Sequence, residues 1–156
     1  MGTRTIGANT FAVGVNTKVL SKNSAGFGDG NLSYGSHSFV AGKNNQVGFA
    51  ATAFGRNNHS SGDVTTSFGQ QNAANGYVSL ATGANTTASG IASSSFGTLT
   101  EASGNKSSAF GGGTTASGEN SVATGNKTTA SGKDSVSIGQ ETIASGEDSL
   151  AVGKLS

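Results

Sequence analysis

Hydrophobic and polar positions alternate in short runs along this chain, and each run is separated from the next by a glycine with polar company, about every seven residues. The stretch 132–138 (GKDSVSI) shows the unit, with Gly132 as position 0. Positions 0 to 2 carry Gly with polar or charged residues, the chemistry of a tight turn. Positions 3 to 6 alternate, which predicts a four-residue strand of period two. Glycine marks the grid in two interleaved series. One runs Gly14, Gly28, Gly42, Gly55, Gly69, Gly83, Gly97, Gly111, Gly125, Gly139, Gly153; the other runs Gly7, Gly35, Gly48, Gly62, Gly76, Gly90, Gly104, Gly118, Gly132, Gly146, with Ser21 in its one vacancy. The full repeat is therefore fourteen residues with two short strands and two turns, which predicts a solenoid of stacked coils. A Gly every seven residues and the Ser/Thr content exclude helix. Between Gly42 and Gly48 the spacing drops to six, read as a one-residue deletion around Lys43 to Val47.

The two faces of the strands differ. Positions 3 and 5 are small throughout, as in Ser107, Ala109, Ser121 and Ala123 before the first glycine series (strand A) and Thr100, Ala102, Thr114 and Ala116 before the second (strand B). In strand B, position 3 begins as Asn31, Asn45, Asn58 and Asn72 and continues as Thr86, Thr100, Thr114, Thr128 and Thr142. Small inward residues predict two closely packed sheets, with the position-3 columns forming side-chain hydrogen-bond ladders between coils. Near the N-terminus strand B is more apolar, with Val19, Leu20, Leu32 and Tyr34, which suggests different packing or a cap at that end.

Positions 4 and 6 of strand A carry the opposite signal. They hold Phe11, Val13, Phe27, Phe39, Phe54, Phe68, Leu80, Phe96, Phe110, Val122, Val136, Ile138, Leu150 and Val152, including seven of the eight Phe. Where one of the two positions is large the other is often small, as at Phe39 beside Ala41 and Leu80 beside Thr82. The same positions of strand B are mostly polar beyond Gly55 (His59, Ser61, Thr87, Glu101, Thr115, Thr129). A stripe of stacked Phe, Val, Ile and Leu exceeds the few hundred Å² that a soluble monomer leaves open. The expectation is self-association through strand A, for which closed cyclic symmetry is the default.

Composition adds exclusions. The 156 residues contain no Cys, Pro or Trp, and the net charge is +1. Leu, Ile, Val and Phe make up 28 residues, a share that leans toward disorder, but the large net charge of disordered chains is missing and the periodicity is strict. A near-neutral chain has no basic stripe for nucleic acid. No stretch approaches the ~18 apolar residues of a membrane span, so no direct membrane contact is expected, and no signal peptide is seen. The repeats run from about 7 to 153, and the expectation is one domain over 1–156, a fragment that opens and closes inside the pattern.

The segments 9–14 (NTFAVG), 120–125 (NSVATG), 134–139 (DSVSIG) and 148–153 (DSLAVG) resemble the NSVAIG repeat of YadA-like heads. They alternate with Ala-Ser-Gly at 88–90, 102–104, 116–118, 130–132 and 144–146, as those heads do. These are the head domains of trimeric autotransporter adhesins on the surface of Gram-negative bacteria. The resemblance implies a left-handed parallel β-roll, a homotrimer, and an outer-membrane anchor in the full-length protein. It also implies attachment to host matrix proteins such as collagen, fibronectin or laminin, or to cells. The family's signal peptide, neck, coiled-coil stalk and anchor are absent from the residues given.

Competing chemistries are weaker. His37 in a turn and His59 on strand B have no Cys and no carboxylate pair at consistent spacing, so no catalytic site is expected. The segment 111–113 (GGG) lacks the following helix of a phosphate loop. A calcium roll needs an Asp ladder, but Asp occurs only at 29, 63, 134 and 148. No cofactor or metal is expected. Five Asn-x-Ser/Thr sequons (Asn31, Asn58, Asn85, Asn105, Asn126) follow from the repeat, and the Thr87, Thr115, Thr129 column, interrupted by Glu101 and Ile143, makes a poor ice-binding lattice. The charged turn residues Lys106, Glu119, Lys127, Lys133, Asp134, Glu147 and Asp148 either solubilise the rod or form a repeated surface for a repetitive ligand, through avidity. The rival to an adhesin head is a structural spacer without a ligand of its own.

Overall fold

Each fourteen-residue repeat closes one coil, and stacking the coils produces two parallel sheets of eleven strands. The computed structural model describes residues 2–155. Strand A is the longer, five residues per coil from β2 (Phe11–Val15) through β14 (Ser94–Thr98) and β16 (Ser108–Gly112) to β22 (Leu150–Lys154). Strand B is reduced to two residues per coil, from β1 (Arg4–Thr5) through β9 (His59–Ser60) to β21 (Ile143–Ala144). Adjacent coils pair at a step of fourteen, as in Thr66 opposite Leu80 and Ala73 opposite Thr87. Every strand rests on the coil below it, so no helix is needed to cross between parallel strands. No helix of the described residues is long and apolar enough to cross a membrane.

The single break in the step lies at the end of the interval between Gly42 and Gly48 that the glycine spacing marks. Asn45 keeps its inward place fourteen residues after Asn31, and the steps Phe39–Thr52 and Gln46–His59 are the ones shortened to thirteen. The lost residue belongs after Val47. In the coil before, Tyr34 N–H and Gly35 N–H both donate to Val47 O, at 3.1 and 3.4 Å; Gly48 N–H alone donates to Ser60 O at 2.8 Å. A turn can absorb a missing residue, whereas a strand that lost one would send its buried column to the outside.

The interior is as small as expected. Val19, Val40 and Val47 are its bulkiest apolar side chains, above Ala columns such as Ala102, Ala109, Ala116, Ala123 and Ala130. Of the apolar residues of strand B near the N-terminus, Val19 is fully buried, while Leu20, Leu32 and Tyr34 remain partly or largely open. With so little apolar volume inside, the stack depends heavily on its ladder of backbone hydrogen bonds.

The glycines of the first series do not make the turns. Strand A runs straight through the first series, so that Gly69 is the fourth residue of β10 (Thr66–Gln70), with φ of +117°. A Cβ there would overlap the carbonyl oxygen of Gly83 in the next coil. Gly90 of the second series has an ordinary φ, yet its Cβ would overlap the carbonyl of Gly104. Glycine thus marks the two lines along which successive backbones touch. The left-handed turn residue falls two positions later and is mostly not glycine: Asn44, Asn57, Asn85 and Lys127 on one edge, Asn23, His37, Asn120 and Asp134 on the other. Such a conformation costs roughly 1–2 kcal/mol for an L-residue. It is offset by a turn-to-turn ladder, as where Asn57 N–H donates to Lys43 O at 2.9 Å and Asn120 N–H to Asn105 O at 2.9 Å.

Candidate functional site

Alternation along strand A sends positions 4 and 6 to one face, and stacking at a constant register turns them into columns. All fourteen apolar residues of the stripe lie on the outer face of the long-strand sheet, from Phe11 in β2 to Val152 in β22. They are half-buried to exposed in the single chain: Phe11 is 57% open, Phe54 38% and Leu150 69%. The rings also meet one another. Phe11, Phe27, Phe39, Phe54 and Phe68 form a continuous ladder with centroid separations of 5.1–5.6 Å, and Phe96 stacks on Phe110 at 5.1 Å, nearly parallel. Each such pair is worth about 0.5–1.5 kcal/mol beyond area burial. The size alternation therefore has a cause inside the chain: Phe39 at position 4 is stacked between Phe27 and Phe54 at position 6.

The charged turn residues do not share one surface. Lys127 follows β18 (Val122–Asn126) on the edge after strand A, whereas Lys106, Glu119, Lys133, Asp134, Glu147 and Asp148 lie on the opposite edge, after strand B. Lys133 stands 3.7 Å from Asp134 and 3.9 Å from Glu147, and Lys127 stands 3.8 Å from Glu141. Asn120 donates to Asp134 at 2.7 Å. Exposed pairs of this kind contribute at most about 1 kcal/mol each. They leave the edge hydrated and of mixed sign.

Among the described residues no group of three or more His, Cys, Asp and Glu could hold a metal. His59 lies in β9, and His37 sits in a turn with its Nε2 3.1 Å from Asn23 Nδ2 and its ring edge-on to Phe49 at 5.8 Å. Partial burial raises the pKa of the Tyr34 phenol above its ordinary value. A shallow pocket opens on the edge after strand A where Gly112 and Gly113 leave a gap between Leu99 and Lys127.

One surface escaped the reading of the turns as polar. On the edge after strand B, Phe49, Val64, Tyr77, Val78 and Ile91 are all exposed. The available signal was the eighth Phe, the one outside the strand-A columns.

Fold and surface together define a parallel β-solenoid with one apolar sheet open along its length. Residues 102–128 and 130–156 match the YadA head domain repeat in two consecutive copies, about a third of the chain. These residues are similar to YadA head repeats, a family that suggests an adhesin-type domain. No curated protein matches the chain.

Proposed function

We propose that the whole of 1–156 is one non-enzymatic adhesin head, a left-handed roll that trimerises through strand A and works at the surface of a Gram-negative bacterium. The observation that carries this reading is the apolar sheet. It runs the full height of the stack, from Phe11 to Val152, and its Phe ladder stays more than a third open at Phe54, Phe68 and Phe110. A column of this length needs a cover with the same repeat, which a second and third copy supply. The family match supports both the trimer and the cell-surface location. Attachment to host matrix, with collagen, fibronectin or laminin as ligands, then falls to the polar short-strand face and the charged edges, including Lys106, Glu119 and Lys133.

Sedimentation equilibrium at micromolar concentration should give three copies per particle. Replacing Phe96 and Phe110 together by Asp should release folded or partly folded monomers, because it puts carboxylates where the rings stack. Thr115→Asp, on the short-strand face, should leave the trimer intact. A folded monomer in the wild type, or equal effects of the two changes, would overturn the assignment of faces. Surface-plasmon binding of the trimer to the three matrix proteins separates an adhesive head from a spacer, and uniform failure to bind favours the spacer.

A further inference from the structure

The edge after strand B changes character along the rod. In its C-terminal coils it carries Lys106, Glu119, Lys133, Asp134, Glu147 and Asp148. In four central coils it carries Phe49, Asp63, Val64, Tyr77, Val78 and Ile91, all exposed. Phe49 is 48% open and Tyr77 57% open. The opposite edge of the same coils is polar over most of its length, with Arg56, Asn57, Gln70, Gln71 and Asn85, so neighbouring strands do not force this composition. An exposed group of five large apolar side chains is of the size that marks an interaction site.

Its extent argues against the trimer partner as its cover. A copy related by rotation about the long axis presents the same repeat at every level, and the strand-A stripe accordingly runs through all eleven coils. This ridge stops after four. Its occupant is short, about 15 Å along the rod at the ~4.8 Å spacing of stacked strands.

Charge says what the occupant carries. Only two carboxylates precede residue 100, Asp29 and Asp63. Asp29 pairs with Lys43 at 3.3 Å. Asp63 is exposed, and no salt bridge reaches it among the described residues. The fourteen-residue step puts Phe49 in the coil on one side of Asp63 and Tyr77 in the coil on the other, each about 5 Å away along the stack. A cation held by the Asp63 carboxylate would sit in the coil between two aromatic residues, and a ring face attracts a positive charge over ~6 Å. Val64 in the same coil, Val78 in the next and Ile91 in the one after continue the apolar surface along this edge. We propose that the ridge from Phe49 to Ile91 docks a segment of a partner protein that presents an Arg or Lys between apolar side chains.

Fluorescein-labelled hexapeptides of alternating Leu and Ser with a central Arg, Gln or Glu test this by anisotropy on the assembled protein. The Arg peptide should bind at least tenfold tighter than the Gln peptide, and the Glu peptide more weakly still. Asp63→Asn should erase the preference for Arg over Gln, while Tyr77→Ser should weaken the Arg peptide about fivefold. Equal binding of the three peptides, or an Arg preference that survives Asp63→Asn, would overturn the proposal. So would a rise in particle mass with concentration that Tyr77→Ser abolishes, since a second copy would then be the occupant. None of these residues lies on strand A, so sedimentation of each variant shows separately whether the trimer holds.

Discussion

The coils that carry Asn31, Asn45, Asn58 and Asn72 and the coils beyond them share one backbone and differ most in this inward column. In the first group Asn31, Asn45, Asn58 and Asn72 are buried and each amide is used in full. Asn58 Nδ2 donates to Phe54 O and to Gly69 O, both at 2.9 Å, and its Oδ1 accepts from Asn72 N–H at 3.0 Å. The side chain thus ties its own coil, the facing sheet and the next coil together. In the second group Thr takes the column, and its single hydroxyl cannot make all of those bonds at once. Thr100 and Thr142 pair across the interior with Ser95 and Ser137, at 2.7 Å each. Thr114 and Thr128, which face Ala109 and Ala123 in the corresponding places, make no hydrogen bond through their hydroxyls. Even the backbone registers the change. The strand glycine of each Asn coil has φ of +115° to +118° (Gly28, Gly42, Gly55, Gly69), while Gly14 and the glycines from Gly83 onward, in Thr coils, lie at +125° to +131°. The narrower φ goes with an Asn three residues after the glycine and not with an amide on that glycine's own carbonyl, since Gly83 O accepts from Asn72 while Gly83 stays at +130°.

The sharpest way to break the comparison is to remove one amide. Asn58→Ala takes a donor from two backbone carbonyls and leaves Asn72 N–H without its acceptor. Each buried group stripped of its partner costs about 1–3 kcal/mol, so a loss on the order of 3 kcal/mol is expected. The denaturant midpoint, read at fixed protein concentration because assembly shifts it, should fall accordingly. Hydrogen exchange at Asn72 N–H should accelerate most. A loss under about 1 kcal/mol would mean that the ladder does not fasten the coils.

The column of Asn, the Ala core and the outer Phe stripe were all legible in the sequence, because strand alternation and a fixed repeat place every side chain by arithmetic. What escaped was governed by contacts between coils. The glycine grid looks the same whether Gly turns the chain or lets two backbones touch, and only the position of the Gly83 carbonyl over Gly69 decides. The expected Ser/Thr ladder also failed for a reason of reach. A hydroxyl on one carbon spans the narrow interior at Ser95–Thr100 but rarely the gap to the next coil, and Ser38 to Ser24 at 3.3 Å is a long example. The glycine spacing located the deletion before Gly48, and the register of Asn45 to Val47 narrows it to the step after Val47.

A second, smaller effect follows within the Thr coils. Thr100→Val breaks the pair with Ser95 and leaves that serine hydroxyl buried without a partner, at a cost of about 1–2 kcal/mol. Adding Ser95→Ala makes the coil resemble its neighbours around Thr114, with the polar pair replaced by apolar groups of similar shape, and should return most of that loss. The test is a double-mutant cycle on the same midpoint. Additive losses would show that the two hydroxyls are not coupled.

The smallest effect has the opposite sign. Thr114→Val exchanges a buried hydroxyl without a hydrogen bond for a methyl of nearly the same size, so stability should stay level or rise by up to about 1 kcal/mol. The column itself supplies the competing possibility. Thr17, at the equivalent place in an early coil, donates to Gly28 O at 3.0 Å. A rotation of the Thr114 side chain would aim it at Gly125 O in the same way. If that bond forms in solution, Thr114→Val loses about 1 kcal/mol, and the Thr coils are fastened at the glycine carbonyl just as the Asn coils are, only more weakly. Thr17→Val serves as the reference for that loss. A gain at 114 beside a loss at 17 would show that the C-terminal coils leave the glycine carbonyl without a side-chain donor.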